Sequence, residues 1–115
     1  MNNEVERTLE TERQLFIGDE VVHLSNGSHH IVVDIPVGNG VNVGKISENS
    51  AGEEVIGPPG TMFIEELSAP IGHWDIDRVA DAWFRWAATL NLPEEFKDKV
   101  RTHLHEEAAK QDADS

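Results

Sequence analysis

The chain has 115 residues, the length of one domain, with 38% hydrophobic residues, 22 Asp plus Glu against nine Lys plus Arg, and no cysteine. The missing cysteines exclude a disulfide framework, a thiolate metal site and a cysteine nucleophile. The net charge of -13 argues against direct contact with nucleic acid or anionic lipid, whose phosphates are held by clustered Lys and Arg.

Residues 1 to 13 carry Glu4, Glu6, Glu10 and Glu12, with Val5 and Leu9 as an apolar pair at helical spacing, and read as an acidic N-terminal arm or short helix. This opening, MNNEVERTLETER, is too acidic for a secretory signal, and no apolar run approaches the roughly 18 residues of a membrane span. A soluble cytoplasmic protein with no membrane partner is the expectation.

Residues 14 to 67 change texture to short β-branched runs broken by Gly, Asn, Ser and Pro, and read as a β-barrel-like region. The run EVVHL, 20 to 24, is joined to HIVVDI, 30 to 35, by SNGSH, and an Asn-Gly between two such runs predicts a hairpin. In the second run Ile31, Val33 and Ile35 alternate with His30, Val32 and Asp34, which predicts one apolar and one mixed face. VNVGKI, 41 to 46, EEVIG, 53 to 57, and TMFIEEL, 61 to 67, follow, the last after the rigid GPPG turn. Strands this short and this closely spaced suit a small closed or half-open barrel.

The stretch IGDEVVHLSNGSHHIVVDI resembles the opening of SH3-like barrel modules, in which Gly-Asp precedes the first strand and a glycine-containing turn leads to the second. With the later strands the likeness covers residues 17 to 67. It implies a fold; members of this broad group bind proteins, peptides or nucleic acids, and the likeness gives no residue here a binding role. The aromatic groove of the peptide-binding members has no counterpart, since this region holds only Phe16 and Phe63 and the chain has no Tyr.

Residues 68 to 110 read as a helical hairpin. Asp75 is a plausible N-cap, Asp77 complements the helix dipole, and Ile76, Val79, Ala80, Trp83, Ala87 and Leu90 form one stripe ending near Asn91. The stripe places Trp83 in the core and Trp86 nearer the surface. Leu92-Pro93-Glu94-Glu95 restarts a second helix, with Phe96, Val100, Leu104 and Ala108 inward and Lys97, Lys99, Arg101, Glu106 and Glu107 outward. Residues 111 to 115 are a polar tail expected to fray.

Four features invite chemistry. GNGVNVGK, 38 to 45, looks like a phosphate loop, but Gly40 and Gly44 are too close, Asn39 stands where the first glycine belongs, Ile46 replaces the hydroxyl, and no helix follows. It reads as a hairpin turn, with Gly44 a bulge or close-packing position. The six histidines, His23, His29, His30, His73, His103 and His105, do not converge by spacing: His103 and His105 point about 200° apart on a helix, and His29 and His30 lie on opposite faces of a strand. No metal or cofactor is expected. Glu53-Glu54, Glu65-Glu66 and Glu94-Glu95 are neighbours that diverge in a strand or open a helix, so no catalytic residue is assigned.

WDIDRVADAWFRWAATL is the chemically richest segment, because Phe84 and Trp86 widen its apolar stripe beyond the ~100° that packing on one sheet needs. The reading is an α+β fold, a small SH3-like antiparallel β-barrel followed by a C-terminal helical hairpin, acting as a non-catalytic acidic protein that binds a basic protein partner. One mechanism is an inhibitor that presents carboxylates in place of phosphates to a basic nucleic-acid-binding enzyme, as phage and mobile-element proteins do. The alternatives are an adaptor, complex subunit or homodimer using the aromatic helix 75 to 91, or a metal- or ligand-binding enzyme built on the histidines. The candidate partner-binding residues are Phe84, Arg85, Trp86, Glu94, Glu95, Glu106 and Glu107.

Overall fold

In the computed structural model, which describes residues 15 to 114, six antiparallel strands precede two helices. The arm read over residues 1 to 13 lies outside the described residues. The strands are β1 (Asp19–Val22), β2 (His29–Val32), β3 (Gly40–Glu48), β4 (Glu54–Ile56), β5 (Gly60–Phe63) and β6 (Gly72–His73). The helices are α1 (Ile76–Ala87) and α2 (Glu94–Asp114), and 3-10 turns occupy Ile64–Glu66 and Ala88–Leu90.

The sheet order is β4-β3-β2-β1-β6, and β5 also lies on β3. β3 carries both β4 and β5 because their partner run is interrupted once. Val43 faces Gly60 and Ile46 faces Ile56, so three steps along β3 oppose four along its partner. The extra residue is absorbed at Gly57-Pro58-Pro59, where the prolines have no N–H to give the ladder. After the first 3-10 turn the chain runs back along β1: the amides of Leu24, Ser68, Ile71 and Trp74 donate to Glu66, Val22, Glu20 and Gly18 respectively. The short β6, which has too little apolar alternation to be read from sequence, lies on this return path. The result is an α+β fold, a half-open antiparallel barrel followed by a helical hairpin.

GNG forms the expected turn. Val37 and Gly40 exchange both backbone hydrogen bonds, and Gly38, at φ +60°, supplies the left-handed first position of a two-residue hairpin loop. Gly44 is a close-packing position, since a Cβ there would run into the Ile56 side chain and lie 3.0 Å from the Gly57 carbonyl oxygen.

Two cores share the sheet. Leu15, Val21, Val32, Val41, Val43 and Leu67 fill the barrel. Ile17, Ile31, Ile56, Trp74, Val79, Ala80, Ala82 and Leu104 fill the layer between sheet and helices. β2 is therefore buried on both sides. The expected apolar face, Ile31 with Val33 and Ile35, lies in the helix–sheet layer, and the mixed face is covered as well, with Val32 in the barrel core and His30 buried.

α1 begins as read, with the Asp75 carboxylate accepting from the Arg78 amide at 2.9 Å, and its second 3-10 turn ends at Asn91 in the left-handed conformation, φ 50°. Its buried face is mostly alanine, which lets the helix lie close on β4. Trp83 corrects the expected core position. Val79, Ala80 and Ala87, one turn to either side of it, are buried, so the helix has the expected rotation, yet Trp83 is only partly buried because the space above it is an open cleft. The buried tryptophan is Trp74, 4% exposed at the β6–α1 junction. Leu90 and Phe96, expected inward, are 57% and 43% exposed.

The tail is also corrected. α2 continues to Asp114, and Gln111 ties it to the barrel: its Oε1 accepts from the Ile17 amide at 2.8 Å and its Nε2 donates to the Leu15 carbonyl at 3.1 Å. Among the described residues no helix is long and apolar enough to cross a membrane.

Candidate functional site

The open space above Trp83 is a cleft of 420 Å³ with three walls. Val33, Asp34, Asn42 and Pro59 supply the barrel wall, Val79 and Trp83 that of α1, and Phe96, Lys99, Val100, His103 and Leu104 that of α2. The helical contributions follow from spacing: Val79 and Trp83 are four apart, and Phe96, Val100, His103 and Leu104 recur at three and four. Val79 and Leu104 are buried and form the floor, while Phe96 and Pro59 stand at the mouth. Both polar groups of the barrel wall are already engaged, Asp34 by the Ile35 amide at 2.8 Å and Asn42 by the Thr61 hydroxyl at 2.7 Å. Outward along α2 lies a shallow depression lined by Asp98, Lys99, Thr102, His103 and Glu106, which shares Lys99 and His103 with the cleft.

The structure scatters the candidate binding residues. Phe84 packs against the helix–sheet core, with the Arg101 guanidinium 5.5 Å from its ring centroid. Arg85 faces β4, donating to the Glu54 carbonyl at 3.0 Å and lying 3.7 Å from the Glu53 carboxylate. Trp86, like Trp83, is partly buried, and the two rings are tilted against each other at a centroid distance of 6.5 Å. Three consecutive residues point about 100° apart on a helix and cannot form one patch. Glu94, Glu95 and Glu106 are exposed on α2, whereas Glu107 is partly buried and paired with Lys110 at 3.1 Å.

The basic side chains are largely engaged within the molecule. Arg78 grips Glu54 through two bonds of 2.8 and 2.9 Å, its guanidinium 3.8 Å from the Trp74 ring centroid. Arg101 clasps α1 to α2 through Asp77 at 2.8 Å and Asp81 at 2.9 Å. These bonds hold the Glu54 and Asp77 carboxyls below their usual range, Glu54 chiefly through Arg78 and Asp77 through His105 and then Arg101. Lys97 pairs with Glu94 at 3.5 Å. Among the described residues Glu48, Glu65, Glu95, Asp98 and Glu106 are exposed and make no ion pair.

The histidines separate into individual structural roles. His29 donates to Glu20 and His105 to Asp77, at 2.8 and 3.0 Å. His30 is 5% exposed. Ser28 gives its hydroxyl proton to Asn26, so His30 Nε2–H must donate to Ser28 Oγ at 2.8 Å, which leaves Nδ1 buried with no partner among the described residues. Burial, then the positive charges of His23, Lys45 and His29, push the His30 pKa down. His73 donates from Nδ1 to Asp19 at 2.8 Å, and Asp19 is itself fixed by the Phe16 amide at 2.9 Å. This pair borders a second cleft, of 560 Å³, between the start of the barrel and the end of α2. Among the described residues this cleft brings the Asp-oriented imidazole no hydroxyl, thiol or amine side chain to activate.

Among the described residues no group of three or more His, Asp or Glu side chains is arranged to hold a metal ion. The apolar cleft was not legible in the sequence because Val33, Asn42 and Pro59 join it only through the sheet; the spacing of Phe96 and Val100 was its one local sign. Comparison with protein-family models, with curated proteins and with solved structures gives no match to this chain.

Proposed function

We propose that the protein is a non-catalytic interaction protein of the cytoplasm, working without cofactor or resident metal, that engages a basic protein partner through its acidic surface. The observation that carries this reading is the distribution of charge. Arg78, Arg85, Arg101, Lys97 and Lys110 are turned onto carboxylates of their own chain, so among the described residues the excess of negative charge lies on exposed side chains such as Glu48, Glu65, Glu95, Asp98 and Glu106. Such a surface steers a cationic partner from a distance and repels nucleic acid and anionic lipid.

A second reading is favoured by α2. Its 21 residues extend about 30 Å and carry Glu95, Asp98 and Glu106 exposed and without ion pairs among the described residues, a line of negative charge suited to the nucleic-acid channel of a basic enzyme. The adaptor and the inhibitor are separated by one experiment. The tagged full chain is purified from its source at low salt, and captured proteins are identified and eluted with rising NaCl. The reading expects a partner rich in Lys and Arg that elutes as salt rises; a neutral or acidic partner held at high salt would contradict it. Release of that partner by duplex DNA or RNA supports the inhibitor, and retention supports the adaptor.

A further inference from the structure

We infer that the cleft between the barrel and the helical hairpin is the docking point for a short amphipathic segment of the basic partner, a bulky apolar side chain entering between Trp83 and Phe96 with a Lys or Arg beside it. This inference rests on the proposed function and specifies where on the molecule the partner is read.

The geometry accounts for each half of that segment. The cleft, 420 Å³, lies within the roughly 300 to 1,000 Å³ typical of ligand pockets and, like them, has mainly apolar walls: Val33, Pro59, Val79, Trp83, Phe96 and Val100. Two of those walls are aromatic, and filling the space would remove Trp83 and Phe96 from water; large aromatic side chains of this kind dominate binding energies at interfaces. The polar groups around the cleft select the partner. Asp34 stands on the barrel wall, while Asp98 and Glu106 line the depression that continues from the cleft across Lys99 and His103. A segment with its apolar side chain in the cleft therefore lays its neighbours against carboxylates, where a guanidinium or ammonium is favoured, and an aromatic wall adds attraction for the same cation. Among the described residues Lys99, next to His103, is the opposing ammonium on this path. As an exposed lysine with no ion pair among the described residues, it can swing aside, and its removal should help a basic ligand.

The test is a selection of random dodecapeptides displayed on phage against the immobilised full chain, followed by titration of enriched peptides with purified variants checked for fold by circular dichroism. The inference expects enriched peptides to pair Leu or an aromatic residue with adjacent Arg or Lys. It expects their affinity to fall about tenfold on Phe96→Ser and to rise severalfold on Lys99→Glu. Glu65→Lys, beside β5 and away from the cleft, should weaken them far less than Phe96→Ser does. Basic peptides that bind the Phe96→Ser protein as tightly as the parent would overturn the docking site while leaving the acidic-surface reading intact. Enrichment of acidic or uncharged peptides would overturn both, and a selection that enriches nothing would overturn the docking site.

Discussion

Trp74→Ala should be the most damaging single truncation in the helix–sheet layer, and its size can be worked from what the side chain touches. The ring is 4% exposed among Ile17, Ile31, Ile56 and Val79, its indole N–H donates to Glu20 at 3.1 Å, and the Arg78 guanidinium lies 3.8 Å from the ring centroid. Deleting it opens a closed cavity and leaves a Glu20 oxygen without its donor, a loss of about 3 to 5 kcal/mol. That is a large part of the roughly 5 to 15 kcal/mol by which domains of this size are stable. Trp74→Phe keeps most of the ring and should lose only about 1 to 2 kcal/mol, the hydrogen bond and part of the packing. Trp83→Ala is the informative control, because Trp83 already borders an open cleft and its loss creates no closed cavity; about 1 to 2 kcal/mol is expected. Urea unfolding followed by far-ultraviolet circular dichroism, which does not depend on the deleted indole, gives the three differences from midpoints at a common m value. A Trp83→Ala protein as unstable as Trp74→Ala would show that the cleft is closed and the assignment of the buried tryptophan wrong.

Three further outcomes follow from named contacts. Gly44→Ala should destabilise by about 1 to 3 kcal/mol, since its Cβ meets Ile56, and combining it with Ile56→Ala should cost less than the sum of the two changes; additive losses would mean that the two residues do not touch. Gln111→Ala should speed amide exchange at Ile17 and in the last turns of α2 by removing both of its bonds to the barrel, while β2 and β3 exchange as before; unchanged exchange at Ile17 would remove the tie. His30 has a lowered pKa in the folded protein and an ordinary one, about 6.5, when unfolded, so the unfolded chain binds more protons below that pH. Its stabilising share is therefore full above about pH 6.5 and shrinks as pH falls from there toward the folded value, and His30→Gln should flatten the stability profile just below about pH 6.5; an unaltered slope would place the titration elsewhere.

The strands and helices were readable where the local signal and the tertiary demand coincide. SNGSH and GNG hold glycines at φ +75° and +60° for turns, and Asp75 caps α1 because a carboxylate before an amphipathic run has that role in almost any context. The alternation in HIVVDI was readable as well, since Ile31, Val33 and Ile35 do share one apolar face, but it did not show that the face of His30 and Val32 is covered, because that side is closed by Val41, Val43 and Leu67 of the barrel. Trp83 misled: periodicity finds the centre of a stripe, but whether the opposite wall is filled depends on Val33, Asn42 and Pro59, far away in sequence. The same limit hid the role of Gln111, whose two bonds span 94 and 96 residues. Of the candidate binding residues, the glutamates of α2 were placed correctly at the surface apart from Glu107, because outward charge on a long helix needs no tertiary knowledge. Arg85 was not, because its service to Glu53 and Glu54 on β4 is set by the packing of α1 on that strand.

That negative surface charge brings the partner in is tested by the association rate constant of the full chain with its captured partner across a series of NaCl concentrations, measured by stopped flow for the parent and for Glu95→Lys with Glu48→Lys, two exposed positions that do not line the cleft or its adjoining depression. The rate should fall by about tenfold or more from low to physiological salt and be slower and less salt-sensitive for the variant, while the dissociation rate changes little. An association rate indifferent to both salt and the two reversals, with binding lost instead on truncating Phe84 or Trp86, would contradict the role of negative charge.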